Sequence, residues 1–233
     1  MPNRVLADAL RLIPSRLPVQ PSAAERVADA LREQIVDGSL RSGTRLTEET
    51  ISSALGVSRN TIREAFVLLI SERLAVREPN RGVFVVTPTA ADIHDLYATR
   101  LLIEPSALEH GTGFSGRTTD LLRQIVDAAR AASGQGDTAG VAQGNQDFHR
   151  AVTRLAESRR VDHLMAGVLA EMRLVFHLMD SEEGFHEPYL ERNEEIVRLL
   201  ELGDRAGAAA HLRDYLVDAE QQVLRHTLPH AAP

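Results

Sequence analysis

The chain has 233 residues, 43% hydrophobic and only 4% aromatic, a length for one large or two modest domains with aliphatic cores. No run approaches the roughly 18 apolar residues of a membrane span, and without cysteine there is neither a disulfide framework nor a thiolate metal site, which points to a cytoplasmic home. The net charge of −7 argues against nucleic acid only on average, because residues 1–88 carry +2 and residues 89–233 carry −9, and every basic residue is Arg rather than Lys.

Residues 1–21 read as an arm, with one short helix near Val5–Ile13 and too little continuous apolar sequence for a secretory signal. Ser22 and Glu25 form a capping box that opens a helix to about Asp37, with Gly38 as its stop. Thr47 caps a short second helix, whose Glu48 and Glu49 suit the positive end of the helix dipole and whose apolar face is Ile51 and Leu55. Gly56-Val57 makes a turn, and Ser58 caps a third helix. Its Ile62, Ala65, Phe66, Leu69 and Ile70 form one apolar stripe. Ser58, Arg59, Asn60 and Arg63 fall off that stripe in the first turns. "AVRE", "PNRG" and "VFVV" then read as two short strands joined by a turn. Three helices and a hairpin make a winged helix-turn-helix over 22–88, in which the start of the third helix meets base edges in the major groove.

The gapless stretch Gly43–Val85, with its core "LGVSRNTIREA", resembles the DNA-binding domain of the GntR family of bacterial regulators. The resemblance implies that Arg45, Arg59 and Arg63 contact an operator. Ser58, Asn60 and Thr61 would add base or phosphate contacts, and Arg81-Gly82 would form the wing tip near the minor groove. Without DNA the same arginines would be a solvated face paired with Glu64 or Glu48.

"TPTAAD" closes the wing, and Thr89 caps the next helix. Helical periodicity alone follows over 89–228, with a tail at 229–233. Six helices are predicted at about 90–110, 117–132, 138–156, 159–180, 186–202 and 204–226, a mainly α chain ending in a six- or seven-helix bundle. Polar residues interrupt four apolar stripes: Arg100 and Glu104, Asn145 and His149, Asn193, and His211 with Tyr215. Burying such groups unpaired costs roughly 1–3 kcal/mol each, so four helices doing so suggests convergence on something polar. Taken singly, Arg100 and Glu104 are an ordinary i, i+4 ion pair, and His149 a satisfied core histidine.

"DLYATRLLIEPSAL", "NQDFHRAV" and "NEEIVRLLELGDRAGAAAHLRDYL" resemble the FCD effector domain attached to such winged helices in the FadR group. The resemblance makes Arg100 the grip for an acidic ligand. Metal-binding members place an Asp and a His four apart and one His on each of the last two helices. Here those positions are Asn145, His149, Asn193 and Tyr215, with His211 one turn before the last. One imidazole, two amides and a phenol make a poor zinc or nickel site, so no tightly bound metal or other cofactor is expected. Arg100, Asn145, His149, Asn193, Tyr215 and His211 would instead hold a small carboxylate, with Arg173 or His177 as a further donor. The expected protein is a homodimeric, ligand-responsive regulator on a palindromic double-stranded operator, a repressor by family habit, with no membrane partner. Two rivals remain. One is a regulator whose bundle only dimerises, binds a protein or works through a metal; the other is an enzyme using His149 as base and Arg100 as substrate clamp. No nucleophile at a telling spacing and no phosphate loop support the enzyme.

Overall fold

The computed structural model describes residues 21–179 and 187–227; the expected helix near Val5–Ile13 and the tail at 229–233 lie outside them. The first helix, α1 (Ala23–Val36), starts at the expected capping box. Ser22 Oγ accepts from the Glu25 amide, and the Glu25 carboxylate accepts from the Ser22 amide at 2.6 Å. Then come β1 (Arg45–Leu46), α2 (Glu48–Leu55), α3 (Arg59–Ser71), β2 (Ala75–Glu78) and β3 (Gly82–Val85). Gly56 ends α2 in the left-handed region, φ 66°, which lets α3 turn away after two further residues.

The wing holds three strands rather than the expected two. β1 pairs antiparallel with β3, and the sheet order is β1-β3-β2. A two-residue strand is too short to leave an alternating pattern, so sequence periodicity could not find it. Two further expectations shift. Thr47 occupies the N-cap of α2, but its hydroxyl donates to Thr50 Oγ1 at 2.8 Å rather than accepting from the backbone. Leu55 is 46% exposed, because only the Ile51 side of this short helix reaches the core. The α3 stripe is buried as expected at Ile62, Ala65, Phe66 and Leu69, at roughly 1.5–3 kcal/mol for each large side chain.

Thr89 caps α4 (Ala90–His110), the first of six bundle helices among the described residues. The others are α5 (Gly116–Gly134), α6 (Thr138–Arg154), α7 (Arg159–His177), α8 (Glu187–Glu201) and α9 (Arg205–Thr227). The most extensive packing is α9 along α4 and α6 against α5, with α8 between α5 and α9. No described helix is long and apolar enough to cross a membrane.

Two hydrophobic cores result, one around α1–α3 and the sheet, the other inside the bundle. α7 serves both. Met165, Met172 and Val175 enter the bundle core, while Leu174 is buried in the winged-helix core with Ala170 beside it. Arg173 Nε donates to the Val36 carbonyl at 2.9 Å, and the His177 ring packs against Gly38.

The end of α4 is held from across the bundle, where Arg205 donates to the carbonyls of Leu108 and Gly111, each at 2.7 Å. Gly111 has no room for a side chain, since a Cβ there would press on the Ala107 and Leu155 carbonyl oxygens. Both obstacles are backbone, so neither can swing aside. Gly111→Ala is therefore expected to destabilise the fold by roughly 1–3 kcal/mol, measured as a lower urea midpoint with unchanged slope.

Candidate functional site

Two sets of polar residues stand out, one on the surface of the winged helix and one inside the bundle. On the surface, Ser58 caps α3: its Oγ accepts from the Thr61 amide at 3.1 Å and lies 2.9 Å from Thr61 Oγ1. This fixes the first turn and leaves Arg59 and Arg63 pointing outward, each 60% exposed at the side chain. Arg63 Nε donates to Glu48 Oε1 at 2.8 Å, and the Arg59 guanidinium sits 3.8 Å from Glu49. Asn60 donates to Glu64 at 3.0 Å. The Arg63 hydrogen bond holds the Glu48 carboxyl below its usual pKa. Exposed pairs of this kind contribute roughly 0–1 kcal/mol, so a phosphate or base edge can displace them at little cost.

A surface concavity of about 270 Å³ gathers Arg45, Arg59 and Gly82 beside Glu48 and Glu49. Arg45 lies against Gly82, whose absent Cβ would sit 3.3 Å from Arg45 Nε. Arg63 stands on the neighbouring turn of α3, joined to the same wall through Glu48. Arg81 is placed at the wing turn, paired with Glu78 and stacked 5.3 Å from the Phe84 ring. Arg77, on β2, also lines the concavity. The sequence pattern does not single it out, because its outward side shows only in the burial of the paired strands β2 and β3.

Inside the bundle, Arg100, Glu104, His149, Tyr215, Asn145 and Asn193 form one hydrogen-bonded chain. Arg100 Nε donates to Glu104 Oε1 at 2.6 Å, and His149 Nδ1 lies 2.6 Å from Glu104 Oε2. The other ring nitrogen of His149 is 3.0 Å from the Tyr215 hydroxyl, which also lies 3.0 Å from Asn145 Oδ1. Asn193 Nδ2 donates to the same Asn145 oxygen at 2.9 Å. Burial alone would raise the pKa of Glu104, yet Arg100 and His149 beside it hold it at about 2. Burial lowers the His149 pKa, against the pull of the Glu104 carboxylate. Burial pushes Tyr215 well above the ordinary phenol value. Within this cluster two buried atoms have no hydrogen-bond partner among the described residues: Arg100 Nη2 at one end and Asn193 Oδ1 at the other.

Glu104 thus bridges Arg100 and His149; the sequence pattern placed it on the inward stripe but did not include it among the ligand-holding residues. Half of the Arg100 fork is occupied by the chain's own carboxylate, one helical turn away. The space left beside Asn145 and Asn193 is about 10 Å³, room for one water at most. Three expected donors lie elsewhere. His211, one turn before Tyr215 on α9, is only partly buried, and its Nε2 makes no hydrogen bond among the described residues. Arg173 and His177 project from α7 towards α1, as described above. The donor set also fits a resident metal poorly. Only Glu104 and His149 are good ligand types, and no described group of three His, Cys, Asp or Glu residues is placed to hold an ion.

Residues 23–85 match the model of bacterial regulatory proteins of the gntR family, and residues 95–218, more than half the chain, match that of the FCD domain. The chain belongs to the GntR family. A structure assigned as a GntR transcriptional regulator from Rhodococcus sp. RHA1 is 44% identical, with a TM-score of 0.81 over 88% of this chain and 99% of that one. Escherichia coli McbR/YncC, at 18% identity and a TM-score of 0.75, shares the fold over 88% of this GntR chain and 99% of its own. The gluconate operon transcriptional repressor of Bacillus subtilis (strain 168) is 39% identical over 98 residues, 42% of this chain and 40% of its own. The Uxu operon regulator of Haemophilus influenzae is 31% identical over 146 residues, 57% of this chain and 54% of its own. The GntR chain therefore spans about half the length of these two curated relatives.

Proposed function

We propose that this protein is a DNA-binding transcriptional regulator of the repressor kind, acting in the cytoplasm as a homodimer on a palindromic operator, with a bundle that responds to a small organic acid. The observation that carries the DNA-binding reading is the exposed arginine face of α3, anchored from behind by the buried Ile62, Ala65, Phe66 and Leu69. Ser58, Asn60 and Thr61 share the start of α3 with Arg59 and Arg63, Arg45 and Gly82 line the same concavity as Arg59, and Arg81 stands at the wing turn. Names of the curated relatives support regulation of an operon. No catalytic role is assigned, since both ring nitrogens of His149 are engaged within a closed cluster.

The effector reading rests on Arg100. Its unpartnered Nη2 is a buried cationic donor that a carboxylate would satisfy. Admission requires the cluster to open, and a ligand shifts that equilibrium only by its preference for the open state. The closed cavity favours a second reading, in which the bundle dimerises or binds a protein and takes no ligand at this cluster. A panel of small carboxylic acids separates the two. The first reading expects one of them to raise the melting temperature and release DNA. It also expects that response to vanish in an Arg100→Met/Glu104→Leu variant that still binds DNA. If no acid changes either quantity, the second reading stands.

A further inference from the structure

The larger cavities lie between the two units, beside α7. One, of about 340 Å³, is walled by Ile70, Val76 and Val86 from the winged helix and by Leu96 and Leu174 from the bundle. The other, of about 520 Å³, continues towards Arg32, Glu72 and His163. Both share Arg73, Leu96 and Glu171. Their volumes fall within the range of small-molecule sites, which are mostly apolar with a few polar groups.

Glu171 and Arg73 mark the shared wall, with Asp92 lining the first cavity and Asp95, His163 and the mutually paired Arg32 and Glu72 lining the second. Asp92 is engaged by the Thr89 cap, accepting from its amide at 2.8 Å and its hydroxyl at 2.6 Å. Asp95 faces Arg73 at 3.7 Å. Glu171 alone has no hydrogen bond or ion pair among the described residues, although it is partly buried against apolar walls. Burial raises its pKa to about 7; Arg73 pulls the other way, and Asp92 and Asp95 add to the rise.

We propose that this crevice binds a small organic cation, a primary ammonium or amidinium carried on an apolar body. The cation would pair with Glu171, and its body would lie against Leu96, Val86 and Leu174. An anion is disfavoured by Glu171, Asp92 and Asp95, and a neutral ligand would leave Glu171 as poorly compensated as before. The site goes beyond the DNA-binding reading and is separate from the Arg100 cluster. Its walls come from both units, so an occupant bears directly on the angle between them.

Isothermal titration of the whole chain, without DNA, tests this with 2-phenylethylamine and benzamidine as probes and phenylacetate and 2-phenylethanol as controls. The expected result is saturable one-to-one binding of at least one cation and none of either control. Glu171→Gln, which keeps the side-chain volume, should weaken cation binding at least about tenfold with no loss of melting temperature. Because the cation prefers ionised Glu171, affinity should also fall about tenfold from pH 8 to pH 6 as the carboxyl takes up its proton. Failure of both cations to bind overturns the proposal. So does equal binding of 2-phenylethanol, or a Glu171→Gln variant that binds like the native chain. With no DNA present, none of these results touches the DNA-binding reading.

Discussion

Glu104→Ala is expected to unfold about 3–5 kcal/mol more easily than the native protein, the loss typical when one partner of a buried ion pair is removed. The Arg100 side chain is 2% exposed and that of Glu104 not at all, so the remaining guanidinium would be left without its counter-charge and without water. His149 loses its Nδ1 partner in the same change. In a chain of this size the melting temperature should drop by roughly 10 °C. Arg100→Met/Glu104→Leu should recover most of that loss, because apolar residues of similar volume require no desolvation of charge. A double variant as unstable as Glu104→Ala would mean that the rest of the network, rather than the ion pair, dominates.

The same pair sets a pH dependence. The Glu104 carboxyl has a folded-state pKa of about 2, below its ordinary value of 4.5. Its stabilising contribution is therefore complete above about pH 4.5 and is lost as the pH falls through about 2. The double variant should show a shallower loss of stability across that acid window. Equal acid slopes by urea unfolding would remove Glu104 as the source.

Arg63→Ala should weaken binding to a duplex selected from a random pool by about 1–3 kcal/mol, roughly 5- to 160-fold, and relax the preference at one base pair. Arg59→Ala and Arg77→Ala, if they meet phosphate, should weaken all sequences alike and each reduce the salt slope by about one. Glu48→Gln should act in the opposite direction, since it releases the Arg63 hydrogen bond of 2.8 Å and removes a negative charge from the concavity shared with Arg45. Fluorescence anisotropy across a salt series reads all four. Unchanged affinity and selectivity in Arg63→Ala would remove it from the contact surface.

The winged helix was legible in the sequence because its signals are local. Caps at Ser22 and Ser58, a left-handed Gly56 and a continuous stripe from Ile62 to Leu69 each depend on neighbours within a few residues. The six bundle helices followed from the same kind of signal, as did the gathering of Arg100, His149, Asn145, Asn193 and Tyr215. What escaped depends on three-dimensional direction. Helical spacing puts Glu104 beside Arg100 on the inward stripe, but cannot say that its carboxylate would also engage His149 and leave almost no room for a guest. Periodicity places His211 near Tyr215 without deciding which face of α9 meets the cluster. Arg77 escaped because a four-residue strand carries too few positions to assign its outward side.

The double allegiance of α7 also bears on how the molecule comes apart. Its Leu174 completes the hydrophobic interior of one unit, while Met172 and Val175, two and one positions away, complete that of the other. Separating residues 1–88 from the rest would take Leu174 out of the winged-helix core and leave it exposed on the bundle. The rod can neither slide nor roll for one unit without disturbing the other, so strain arising at either end has a rigid conduit to the far side.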